Sequence, residues 1–336
     1  MPPSSCRRAG NPRRHSRRSV RPVSANPALT KHAYADGMID PSARIEGDEP
    51  GEGLRDSLAR GDALAGTVGP ILRHLLGNQC GAIFGDAILA RVRGMASHLA
   101  QQLLEAADPD KLDRLANALL DVPVILSHLH AVAIEWQWTE WLEQRFGIDP
   151  VVPPLLHEAI ASPVAETKSV ATRLLAAQAR WCQAQRRMQI EVDEMPAEVV
   201  QASFHVLRAA LADDAQSAEA RVRSAYDEGA SRLGLAGRLI SGLAHEGRVA
   251  LDLSYAGPAL FVSALAVASA QDRDTLLLST HGSQMIRLLL AMRSAGLGIG
   301  DIARQIFMLH PDAELPRELD LLSPEQAAAV LAQGAS

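Results

Sequence analysis

The chain has 336 residues, 47% of them hydrophobic, with mean hydropathy near zero, enough for one large domain or two ordinary ones around a sizeable core. Aromatics make up only 4%, so that core must be built from Ala, Leu and Val, which favour helix because they lose little rotamer freedom. Cys6, Cys80 and Cys182 are odd in number and scattered, which excludes a disulfide framework or a zinc cluster and suits a reducing, cytoplasmic setting.

The net charge of −6 hides two opposed parts. Residues 1–31 carry seven arginines and Lys31 with no acid, so the remainder holds 25 basic against 39 acidic side chains, or −14. An acidic body repels phosphate backbones, leaving nucleic-acid contact only to the basic arm. The arm lacks an apolar signal-peptide segment, and Pro2, Pro3, Pro12, Pro22 and Pro27 would break an amphipathic transit helix. Three expectations stand: translation starts at Met38 and the arm is upstream sequence, the arm is a disordered tail, or it is a working basic arm for nucleic acid or anionic lipid. The next stretch, IDPSARIEGDEPGEG, reads as an acidic, Pro/Gly-rich linker, so residues 1–53 form tail and linker and 54–336 the helical domain.

From Leu54 the chain reads as successive helices. Asp86 opens DAILARVRGMASHLAQQLLEAA, and Asp108 caps a helix with Pro109 at its first position. Pro123 starts a helix that Gly147 stops, and Ser162-Pro163 begins the longest element, running to about Ile190. Pro196 opens EVVQASFHVLRAAL, followed by helices over 215–229, 231–246, 257–270, 274–295 and 300–309. Ser323 and Gln326 form a capping box for the last helix. The predicted fold is all-α without a sheet: an irregular α-superhelix or bundle of antiparallel, HEAT-like helix pairs, in two lobes dividing near 150–162. The uncharged run 253–271 invites a membrane reading. Pro258 shortens its helix to about 20 Å, well below the roughly 30 Å hydrocarbon core, so a buried central helix is expected.

Signatures of chemistry are sparse. His157-Glu158 and His245-Glu246 lack the second histidine that would complete a zinc-binding face, and His128 and His130 point about 200° apart. No GxSxG elbow occurs, and Asp274, His281 and Ser283 are close only in sequence. The Gly298-x-Gly300-x-x-Ala303 pattern follows a helix rather than a strand, so it reads as a turn between helices and not a phosphate cradle. The same stretch, RSAGLGIGDIARQI, imitates the first half of a helix-turn-helix, but the Pro-broken, acidic segment after it supplies no recognition helix. No catalytic, metal or cofactor residue is assigned.

Two features point to partners. Arg173, Arg180 and Arg187 recur every seven residues beside Leu174, Trp181 and Met188. They are either solvated arginines covering apolar surface with their stems or a docking edge for an acidic helix or phosphorylated partner. EWQWTEW (135–141) holds three of the four tryptophans. Helical geometry groups Trp138 with Trp141 as core, and leaves Trp136 on another face as a candidate partner contact.

YDEGASRLGLAGRLISGL (226–243), AGPALFVSALAVASAQDRD (256–274) and AMRSAGLGIGDIARQIFMLHP (291–311) carry a resemblance. Together they resemble an uncharacterised bacterial all-helical family, a domain of unknown function with HEAT-like character. The resemblance implies a bacterial cytoplasmic protein and contributes no catalytic residues. The expected function is a non-enzymatic interaction or regulatory scaffold for a protein partner or a second copy. The alternatives are an enzyme with an inter-helix pocket using His245, Glu246 and His281, and nucleic-acid contact through the basic arm.

Overall fold

Helix boundaries follow local capping chemistry. In the computed structural model residues 51–78, 86–104, 108–210, 215–280 and 284–334 are described. The helices are α1 (Glu52–Asn78), α2 (Asp86–Leu104), α3 (Pro109–Leu120), α4 (Pro123–Phe146), α5 (Pro154–Ala161), α6 (Ala165–Arg186), α7 (Ala197–Ala210) and α8 (Ala215–Ala225). They continue with α9 (Arg232–Gly242), α10 (Leu253–Ser269), α11 (Arg273–Leu278), α12 (Met285–Ser294), α13 (Ile299–Leu309), α14 (Glu318–Leu321) and α15 (Pro324–Gln333). Short 3-10 turns cover 192–194, 228–230 and 244–251. Among the described residues there is no strand, so the fold is all-α.

The caps act where the sequence places them. The Asp108 side chain accepts from the Asp110 N–H at the start of α3, Gly147 closes α4 in the left-handed region (φ 69°), and Ser323 and Gln326 complete the capping box of α15. In α10 the backbone leaves helical geometry at Gly257 (φ 68°, ψ 168°), and Pro258 begins the regular stretch. Gly296 (φ 86°) turns the chain between α12 and α13, as expected for this glycine-rich segment.

Several boundaries differ from expectation. The long helix stops at Arg186 because Met188 turns left-handed (φ 58°), and the separate helix α5 precedes it. Helix α9 gives way after Gly242 to a 3-10 turn, and the single helix expected over 274–295 is α11 plus α12. Among the described residues no single helix is long and apolar enough to cross a membrane, and α3 and α4 meet at 91°.

Two apolar clusters share three helices. One joins α2, α3, α7 and α8 with the C-terminal half of α1, one side of α4 (Ile125, Leu129, Val132, Trp136) and Trp181 and Cys182 of α6. The other joins α5 and α9–α15 with the start of α1, the other side of α4 (Ala131, Trp138, Leu142) and the first half of α6. The boundary between the two clusters therefore runs along α1, α4 and α6. A one-dimensional stack of repeats confines contact to neighbours. Here α1 packs on α12, α14 and α15, and α4 packs on α11, so distant parts of the chain meet. Arg287 of α12 grips Asp62 of α1 at 2.7 and 2.8 Å across that closure.

Candidate functional site

The densest chemistry lies at the seam between the two clusters. Glu135 sits on α4 with 0% exposure. Its carboxylate accepts from Arg232 Nη1 and Nη2 at 2.7 and 2.9 Å and from Arg273 Nη2 at 2.7 Å. Both arginines are the first residues of helices, α9 and α11, where the dipole disfavours a cation. A buried carboxylate offsets that penalty at both helix ends. About two turns along α4, His128 Nδ1 meets Asp274 Oδ2 at 2.7 Å, so α4 and α11 are joined twice.

Aromatic rings extend the cluster into the second core. The Arg232 guanidinium lies 4.1 Å from the Trp181 ring centre, and Trp181 meets Trp136 edge-on at 5.7 Å. The Arg91 guanidinium of α2 lies over the Trp136 ring, 5.2 Å from its centre. The order Arg91, Trp136, Trp181, Arg232, Glu135, Arg273 thus runs from α2 to α11. It ties together helices that belong to different apolar clusters.

Charge states follow from this packing. Burial alone would raise the Glu135 carboxyl, but the Arg232 and Arg273 guanidiniums, by charge and hydrogen bond, hold it at about 2. Burial would lower Arg232, and Glu135 raises it instead. Burial dominates at Glu194, which is shifted upward although its Oε2 accepts from the Arg232 backbone N–H at 2.7 Å. Burial also pushes the Cys182 thiol up to about 11, leaving it protonated and a poor nucleophile. A carboxylate locked between two guanidiniums and sealed from solvent has neither the freedom nor the access for proton transfer to a substrate. The cluster is a structural clasp.

Trp136, expected at the surface, is 3% exposed and central to this clasp, so it offers no grip to a partner. Trp138 is buried as expected, but Trp141 is 41% exposed, with its indole N–H donating to the Met308 carbonyl at 2.9 Å. Helix α4 is apolar on two sides because it serves both clusters, so a one-face rule misplaces two of its three tryptophans. Arg173, Arg180 and Arg187 are all exposed, and none forms an ion pair among the described residues. Leu174 and Trp181 of the accompanying stripe are buried, whereas Met188 is exposed. His281 and Ser283 lie outside the described residues, as do the side chains of His245 and Glu246 and the whole basic arm. Among the described residues no three His, Cys, Asp or Glu side chains gather in a metal-binding group.

Sequence reasoning missed Glu135, Arg232, Arg273 and Asp274. Two signals were present: polar His128 and Glu135 seven residues apart in an apolar helix, and an arginine directly after a helix cap in SRLG and DRDT. Comparison with known protein families, curated proteins and solved structures gives no match to this chain.

Proposed function

We propose that the protein is a non-enzymatic helical interaction scaffold of a bacterial cytoplasm that docks a protein partner along the outer face of α6. The observation that carries this reading is the exposed row Arg173, Arg180 and Arg187, without ion pairs among the described residues, on a body whose charge is otherwise acidic. Residues 165–187 contain five basic side chains against Glu166, a net of +4. A patch opposite in sign to its surroundings steers and orients an acidic partner. The odd, scattered cysteines, with Cys182 a buried free thiol, support a reducing compartment. The test is a photo-crosslinker at exposed Gln183, beside the row, in the full chain expressed in cells. A discrete protein adduct that disappears in Arg173→Glu/Arg180→Glu/Arg187→Glu is expected. No adduct, or one indifferent to the reversal, would overturn the reading.

A further inference from the structure

The spacing of the arginine row specifies the shape of its partner. We infer that α6 receives an acidic helical segment with carboxylates seven residues apart, an inference that rests on the scaffold reading above. Arg173, Arg180 and Arg187 succeed one another at about 10.5 Å, or 1.5 Å per residue over seven residues. A second helix lying along α6 repeats the same rise, so acids at every seventh position meet all three guanidiniums in register. An extended strand covers about 10 Å in three residues, and an odd number of residues points successive side chains to opposite faces. A nucleic-acid backbone presents charge far more densely, at one per about 1.7 Å of duplex axis, and brings a long polyanion against the acidic body.

The ground between the arginines suits a helix. Ala176 and Gln183 are exposed there, and the small Ala176 side chain permits the roughly 8–10 Å interaxial distance of packed helices. The backbone beneath the row is held in place. Leu174, Trp181 and Cys182 anchor the inner face of α6. In its last turn Arg91 bonds the Gln185 carbonyl, and past its end His98 Nδ1 and Gln102 Nε2 each lie 2.7 Å from the Ile190 carbonyl oxygen. Arg187 (φ −99°, ψ 6°) stays near the helical path before Met188 turns away. The guanidinium stems therefore spring from fixed points, which reduces the ordering cost of binding. Arg180 lies near enough to Glu194 to oppose the rise of its carboxyl, yet the two form no ion pair among the described residues.

The experiment uses the full chain and two synthetic helical peptides of identical composition, read by fluorescence anisotropy. One has glutamates at the first, eighth and fifteenth positions, and its isomer at the first, sixth and eleventh. Exposed pairs are individually weak, so three together set the expected preference for the first peptide at about tenfold. Arg173→Glu/Arg180→Glu/Arg187→Glu should abolish that preference. A third peptide with lysines at the same three positions should regain affinity for the reversed variant, whose fold is verified by its thermal melt. Equal affinity for the two isomers, or no rescue by the lysine peptide, would overturn the inference. Tighter binding to a single-stranded oligonucleotide or a phosphatidylserine vesicle would also overturn it. If the peptides fail while the Gln183 adduct still depends on the arginines, only the acidic helix is refuted; loss of both refutes the scaffold.

Discussion

Trp136 should carry more of the stability than either of its tryptophan neighbours, because it is 3% exposed and its ring meets both Trp181 and the Arg91 guanidinium. The Trp181 edge and the Arg91 guanidinium each lose their partner if the ring is removed. Trp136→Ala should therefore cost about 3–5 kcal/mol, the range for a fully buried large aromatic. Trp141→Ala removes a half-exposed ring and its hydrogen bond to Met308, and should cost about 1 kcal/mol. Urea unfolding of the two variants checks the order; equal losses, or a larger loss at position 141, would show that the clasp does not depend on Trp136. The sequence offered the three tryptophans but not their ranking. Their angular separation is a property of one helix, whereas burial depends on how many neighbours that helix has.

At the scale of the element, boundaries with a chemical cap were legible and boundaries set by tertiary contact were not. Asp108, Gly147 and Ser323 end or begin helices through groups visible in the sequence. The end of α6 has no such sign. Met188 adopts a left-handed conformation without being glycine or asparagine, and the bonds from Arg91, His98 and Gln102 of α2 hold that turn. Gly94 is the counterpart on α2, since a Cβ there would stand 2.8 Å from both Met188 Cβ and the Met188 carbonyl oxygen. Gly94→Ala should thus lower stability by about 1–3 kcal/mol through overpacking, although alanine in a helix would otherwise add about 1 kcal/mol. A thermal melt reads the sign directly. A raised melting temperature would mean that the α2–α6 contact yields and does not fix the end of the arginine row.

At the scale of the whole molecule, two apolar clusters share α1, α4 and α6 and are clasped by one buried carboxylate. That arrangement was illegible because its members come from five separated stretches, at 91, 135–136, 181, 232 and 273, and no periodicity relates them. The class of fold, the capped helix ends and the arginine spacing could be read from local pattern. The clasp has a defined dependence on pH. Glu135 titrates at about 2 in the folded protein and near the ordinary carboxylate value, about 4.3, in the unfolded chain. Its folded value is depressed, so its contribution is fully present above about 4.3 and is lost as pH falls toward 2. The shift corresponds to about 3 kcal/mol. Glu135→Gln leaves the buried Arg232 and the partly buried Arg273 without their anion, which should cost about 3–5 kcal/mol at neutral pH. Other carboxylates also titrate in acid, including Glu219, which its bonds to Arg223 and Arg208 hold below the ordinary value, but they are common to both proteins and cancel in the difference. The gap between the urea midpoints of wild type and Glu135→Gln should therefore be constant from pH 7 to about 5 and close between about 4.3 and 2, where the protonated glutamate becomes the isostere of glutamine. A gap that persists at pH 2, or that is absent at pH 7, would mean that the two clusters are joined by apolar packing alone and that the buried ions are incidental to it.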